Sequence, residues 1–271
     1  DVDHFIALKE EVNDIKVLDQ SYRIPGGPIH ELSQNIINKV QNRFDKDYKP
    51  RDDEGILKRY SDITQVDMSK GNWLVLSSAN YFLDDAKDLC EIQGWYYQFK
   101  GRNSIPLKLL MALNNWEAWR KDAQLNHLEI KNIYEYLGSH VLPGFQKGKT
   151  LHSDTKYLMR DCRAEHGLVT DSVWYEAFEG LDPMTETYIR NMRANGEMIN
   201  KNPRIIMSTI HGAKGGEADK VLLMQDITNA ALETFSHDPD ELHRLFYTGA
   251  TRAKRELHVL DPKDFDRAYI L

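Results

Sequence analysis

The sequence has few cysteines, no long apolar run and no excess of positive charge. The two cysteines, Cys90 and Cys162, are too few for a disulfide scaffold or a thiolate-rich zinc site, and such scarcity suits a reducing cytoplasm. The longest apolar runs, such as residues 73–76, fall far short of the roughly 18 residues that a membrane span needs. The net charge of −7 disfavours a protein that coats duplex DNA by bulk charge. We therefore expect a cytoplasmic protein without a membrane partner.

The chain also lacks an initial methionine, so we expect a trimmed piece of a longer protein. Its ends alternate between strand and helix patterns. The predicted strands are residues 15–18, 73–77, 96–99, 204–210, 221–224 and 257–260, and the clearest helices are 28–43 and 238–254. Alternation of this kind indicates a parallel sheet with crossover helices. Between 106 and 195 helical periodicity dominates. The sequence thus predicts an α/β domain over residues 1–105 and 196–271, interrupted by a mainly helical insertion over 106–195.

A glycine- and lysine-containing loop at residues 144–150 is the nearest approach to a phosphate-binding P-loop. A P-loop needs four residues between its first glycine and the Gly-Lys pair, whereas three are present here. Pro143 stands where the first glycine should be, and proline has no N–H and a fixed φ. We favour a solvated loop. A self-contained P-loop ATPase or kinase that uses Lys149 remains the alternative.

Three other segments combine chemistry-bearing residues. In the first, Tyr22 is suited to stack on a base and Arg23 to reach a phosphate, although a packed tyrosine and a surface arginine in a turn explain them equally. In the second, residues 208–219 carry hydroxyl, imidazole and lysine donors on a turn with three glycines, which suits phosphate or simply faces water. In the third segment, residues 241–254, Arg252 lies near a helix end. It is suited to act as an arginine finger, or simply to complement the helix dipole.

In this order and spacing, the three segments resemble the second motor half of a superfamily 1 DNA helicase of the UvrD/Rep type. Residues 20–23 (QSYR) resemble motif IV, with Ser21 where asparagine is usual. Residues 209–217 resemble motif V, with Gly216 where leucine is usual, and residues 245–253 resemble motif VI. The resemblance covers most of residues 5–105 and 200–271, and its Gly-Gly-Glu form is most similar to phage and bacterial members.

The resemblance implies a fold and a missing partner. It implies a RecA-like domain, called 2A, with the P-loop NTPase type of fold but no P-loop of its own, and an inserted helical domain, called 2B. It also implies that the Walker motifs lie N-terminal to Tyr22, outside this sequence. ATP and Mg²⁺ would then be bound mainly by an N-terminal RecA-like domain of the same protein.

The resemblance also implies roles for residues at the nucleotide. Tyr22 would stack on adenine and Glu217 would hold the ribose, while Lys214 and Gly215 would order the loop beside the phosphates. Closure on ATP and release after hydrolysis would move a DNA strand by steps.

The resemblance further implies that Arg23 and Arg252 act as catalytic arginine fingers on the γ-phosphate. Such a role suits phosphoryl transfer, which depends on positioning and charge stabilisation.

The expected DNA partners are single strands and junctions of single with double strands. By resemblance, Thr209 and His211 would touch the single strand. Ser78 ends a strand on the expected DNA side, with a helix cap as the alternative. Arg102 lies in a basic, aromatic stretch over residues 95–131, which suits a single strand or is ordinary core with solvated charges. The ten histidines show no metal-binding spacing. The remaining alternative is a non-catalytic helicase-like docking module.

Overall fold

The computed structural model describes residues 16–44, 46–197, 202–213 and 215–271. These residues divide into two compact units. The first comprises the described parts of 1–91, 97–101 and 204–271, and the second comprises those of 92–96 and 102–203. The division predicted from the sequence, with boundaries after residues 105 and 195, stays a prediction about functional domains.

Helices and strands alternate along the described chain, with four short 3₁₀ turns between them. In order, they are α1 (Pro28–Ile37), β1 (Ile56–Tyr60), β2 (Trp73–Ser77), α2 (Asp84–Gln93), β3 (Tyr97–Phe99), β4 (Arg102–Asn103), α3 (Leu107–Trp119), β5 (Leu125–Asn126), α4 (His127–Tyr134), β6 (Lys156–Tyr157), α5 (Met159–Glu165), α6 (Trp174–Ala177), α7 (Pro183–Ala194), β7 (Ile205–Thr209), β8 (Ala218–Met224), α8 (Asn229–His237), α9 (Pro239–Ala250) and β9 (Ala253–Leu260).

The described strands build a sheet of seven in the order β1-β9-β8-β2-β7-β3-β4. From β1 to β3 the neighbouring strands run parallel. A parallel pair needs a crossover, and the intervening helices supply it. The predicted α/β class is confirmed, and the arrangement is that of a RecA-like fold.

One part of the core of the first unit lies on the face of this sheet that α1 and α9 cover. All five residues of β2 are buried, as a central parallel strand requires. Apolar residues of α1, such as Ile29 and Ile36, and of α9, such as Phe246, pack with those of β8 and β9 in one cluster. Burial of each such side chain contributes about 1.5–3 kcal/mol, so this layer fixes the two helices on the sheet.

Two strands were predicted wrongly. Residues 16–18 form no strand, and Ile15 lies outside the described residues. Conversely, β1 was missed. This edge strand has no buried residue, and its sequence lacks the alternation of apolar and polar residues that indicates a half-buried strand. Two helices are shorter than predicted: α1 ends at Ile37, and α9 ends at Ala250. After α9 a tight turn places Thr251 and Arg252 before β9, which is longer than predicted.

The second unit is mainly helical and is organised around two tryptophans of α3. Trp116 and Trp119 are fully buried. Their indole nitrogens donate to the carbonyls of Ser172, at 3.1 Å, and Tyr157, at 3.0 Å. Buried Trp N–H groups need such partners, so these bonds tie distant segments of the unit to one helix. The small antiparallel pair β5–β6 lies within the same unit.

None of the helices in the described ranges is both long and apolar enough to cross a lipid bilayer.

Candidate nucleotide and nucleic-acid site

The segment that contains Tyr22 and Arg23 is a serine-stabilised turn. The buried Ser21 hydroxyl accepts the N–H groups of Arg23, at 3.2 Å, and Ile24, at 2.9 Å. Hydroxyls stabilise turns in this way, so Ser21 does here what an asparagine side chain also does. The turn leaves Tyr22 87% exposed. The phenol ring is therefore free to stack on a planar ligand at little conformational cost.

Glu217 lies at the centre of an ion-pair cluster. Its Oε2 accepts from Arg23 Nε at 2.8 Å, and its Oε1 pairs with Lys254 Nζ at 2.6 Å. These contacts lower the pKa of Glu217, with the Lys254 bond as the larger cause. Glu217 immediately precedes β8 and Lys254 lies at the start of β9, and Ala218 pairs with Ala253 in the sheet. Adjacent parallel strands thus bring motifs V and VI together, and Arg23 joins them from 194 residues away.

Arg252 faces the same segment and is only 9% exposed. Its Nε donates to the Thr248 carbonyl at 3.1 Å, and its Nη1 donates to the Gly216 carbonyl at 3.3 Å. Burial lowers the pKa of Arg252, and the nearby Arg23 charge lowers it further. An arginine remains cationic at any physiological pH, so a buried positive charge is held beside Arg23.

The nucleotide and DNA candidates lie at opposite ends of the strands. Glu217 and Arg252 stand where β8 and β9 begin, whereas Thr209 stands where β7 ends. The strand predicted before Arg23 is not formed by its described residues, since residues 16–18 are irregular. The described parts of loop 210–217 therefore lie between the C-terminal end of β7 and the N-terminal end of β8.

Two cavities line this connection. The first, of about 210 Å³, is lined by Ser78, His211, Thr228, Ala231, Thr234, Glu241, Leu242 and Leu245. The second, of about 490 Å³, also includes His211 and reaches Thr248 and Arg252. The His211 region and the arginine region therefore border one continuous surface. Ser78 does not cap a helix, because its hydroxyl donates to the Asp226 carbonyl at 2.8 Å and the following turn has no side-chain cap.

The remaining candidates are placed as follows. Gly215 is exposed at φ +89°, a conformation that favours glycine, and a Cβ there would meet no atom within 4 Å. Lys214 lies outside the described residues. Arg102 is exposed on β4 and is assigned to the second unit. No group of His, Cys, Asp or Glu within the described chain has the arrangement of a metal site.

The loop at 144–150 does not form a P-loop. Its residues form turns, and the next helix, α5, begins only at Met159. Thr150 Oγ1 instead lies 2.9 Å from His166 Nδ1. A P-loop passes from a strand directly into a helix, and neither neighbour is present here.

Sequence reasoning missed Lys254 and Arg51. Lys254 follows Arg252 by two residues within the third segment, so its position was a usable signal. Arg51 Nη2 donates to the Lys254 carbonyl at 2.6 Å. The two residues are 203 positions apart, so no local sequence pattern predicts this contact.

Comparison with known proteins gives a partial match. Residues 180–261 match the family model described as UvrD-like helicase C-terminal domain. The matched range includes motifs V and VI and excludes Tyr22 and Arg23. No curated protein matches the chain. With the α/β sheet and the order of its motifs, the match over residues 180–261 supports a similarity of this chain to the C-terminal part of UvrD/Rep-like superfamily 1 helicases.

Proposed function

We propose that this chain forms the second motor half of an ATP-dependent DNA helicase or translocase. A first RecA-like domain with the Walker motifs completes it and binds most of ATP and Mg²⁺. The observation that carries the proposal is the convergence of Arg23, Arg252 and Glu217, from three distant segments, beside the exposed Tyr22. We expect the protein to act in the cytoplasm of a bacterial or phage-infected cell.

The charge of the cluster suits a polyphosphate. Three cations, Arg23, Arg252 and Lys254, face the single carboxylate of Glu217. Guanidinium groups bind phosphate oxygens through charge-assisted hydrogen bonds, and they stabilise the charge that spreads over the γ-phosphate during transfer. We assign to this cluster the supply of cations for the phosphates, and to the first domain most of the binding of Mg²⁺.

The same loop supports coupling to a single strand. Thr209 and His211 precede Glu217 in one loop, and His211 and Arg252 line one cavity. Thr209 Oγ1 accepts the Gly212 N–H at 3.1 Å, which fixes the start of that loop. A shift of Arg252 on nucleotide binding therefore changes the surface around His211. We assign that surface, which also includes Ser78, to DNA. Arg102 is the contact to a junction that we assign to the second unit.

The test is the ATPase activity of the complete protein, extended by its upstream coding sequence. We expect single-stranded DNA to stimulate ATP hydrolysis, and a tailed duplex to be unwound. A non-catalytic docking module predicts no hydrolysis with either substrate. Hydrolysis by this chain alone, abolished by Lys149→Ala, would support the P-loop alternative and contradict our proposal.

Tyr22→Ala is expected to raise the KM for ATP about three- to tenfold, because an aromatic stacking contact is worth about 0.5–1.5 kcal/mol. The fold should not suffer, since the side chain is 87% exposed. Tyr22→Phe keeps the ring and should keep the KM. Phe265→Ala, which removes another exposed ring, is the matched control. Equal KM values for Tyr22→Ala and wild type would contradict the stacking role.

A further inference from the structure

Both proposed arginine fingers donate hydrogen bonds to one two-residue segment, Gly216 and Glu217. Arg23 donates to the Glu217 carboxylate, and Arg252 donates to the Gly216 carbonyl. Without nucleotide, the two cations are thus neutralised or hydrogen-bonded by the loop itself. A polyphosphate that binds the Nε donor of Arg23 must displace the contact that this Nε makes with Glu217 Oε2 at 2.8 Å.

Departure of Arg23 changes the electrostatics of Glu217. If Arg23 were its only partner, the vacated carboxylate would stand unpaired beside the arriving phosphates, and like charges repel. Lys254 prevents this, because it binds the other oxygen, Oε1, at 2.6 Å and leaves Oε2 to Arg23. When a phosphate displaces Arg23 from Oε2, Lys254 therefore stays paired with Oε1 of the same carboxylate.

The backbone holds Lys254 in place for this role. Its carbonyl accepts from Arg51, and the residue before it, Ala253, pairs with Ala218 next to Glu217. The neighbouring Arg255 is different, because its side chain is 76% exposed and its Nε lies 3.9 Å from Asp219. Lys254 and Arg255 are thus adjacent in sequence, but Lys254 pairs with Glu217 and Arg255 lies near Asp219.

We propose that Lys254 is a positioning residue of the nucleotide site. It keeps the Glu217 carboxylate neutralised and in place while Arg23 exchanges that carboxylate for the nucleotide phosphate. This inference rests on the proposed function, and it assigns a role to a residue outside the set that contacts the reacting atoms.

The test uses the complete protein and its DNA-stimulated ATPase. For Lys254→Gln we expect kcat to fall about two- to fivefold, since a partly exposed ion pair is worth up to about 1 kcal/mol and each 1.36 kcal/mol is tenfold in rate. The KM for ATP should rise as well, because a Glu217 carboxylate that Lys254 no longer neutralises repels the arriving phosphates. Lys254→Arg should restore kcat, and Arg255→Gln, with the same loss of charge, should match wild type.

A double-mutant cycle separates this role from general support of the fold. In a Glu217→Gln background there is no carboxylate to neutralise, so Lys254→Gln should lower kcat no further. An equal fall in both backgrounds, or an equal fall for Arg255→Gln, would overturn the proposal. An active wild type with an unchanged Lys254→Gln variant would overturn this inference alone, whereas an inactive wild type would overturn the proposed function with it.

Discussion

Arg252→Ala is expected to lower the DNA-stimulated kcat of the complete protein by about 10³-fold or more, the scale of an arginine finger in well-studied NTPases. Arg252 is 9% exposed, and its guanidinium donates to the Gly216 carbonyl beside Glu217. Alanine removes the charge and both donors from this position. The KM for ATP should change little, because a contact made mainly in the transition state supports kcat.

The measurement is steady-state ATPase activity at saturating single-stranded DNA. Arg252→Lys keeps the charge but loses the forked donor geometry, so we expect most of the loss to remain. Arg255→Ala, an exposed arginine three residues away, should match wild type. Thermal unfolding of each variant checks the fold, since Arg252 also bonds the Thr248 carbonyl. A folded Arg252→Ala variant with wild-type kcat would rule out the finger role.

Gly94→Ala is expected to destabilise the protein by about 3 kcal/mol, the sum of a left-handed backbone penalty and overpacking. Gly94 ends α2 at φ +69°. A Cβ there would lie 2.4 Å from the Asn191 carbonyl carbon and 2.7 Å from the Met192 nitrogen. These are backbone atoms of α7 and have no alternative rotamer, so the helix itself must shift.

Gly196→Ala is the matched control for this substitution. Gly196 follows α7 as Gly94 follows α2, and its φ of +67° is nearly the same. A Cβ at Gly196 would meet no atom within 4 Å, so only the backbone penalty of about 1 kcal/mol applies. The two variants are compared by urea unfolding of this chain. Equal losses of unfolding free energy would contradict the close packing of Gly94 on α7.

The structure explains where sequence patterns succeeded and where they failed in the fold. The run at β2 was predictable because a strand buried on both faces is apolar at every position. Gly94 and Gly196 lie just beyond helix ends, where a left-handed residue favours glycine. The edge strand β1 escaped prediction because its stability comes from pairing with β9, 200 residues away, rather than from an apolar face of its own.

The candidate site divides in the same way. Motif order and spacing pointed to Tyr22, Glu217 and Arg252, and the fold brings Arg23 and Arg252 to the same loop segment. Their roles in binding and catalysis stay predictions. Thr209 ends β7, whereas Glu217 precedes β8, because the loop between them runs back to the other end of the parallel strands.

By itself, the sequence determined the alternating α/β order, the helical character of the middle region and the residue types of three helicase motifs. These depend on local periodicity, turn chemistry and spacing, which are readable within a few residues. Only the tertiary structure decided that Glu217 shares its carboxylate between Arg23 and Lys254, and that Arg252 rests on Gly216. Those contacts depend on parallel strand register and on segments as far as 194 residues apart, which no local pattern specifies.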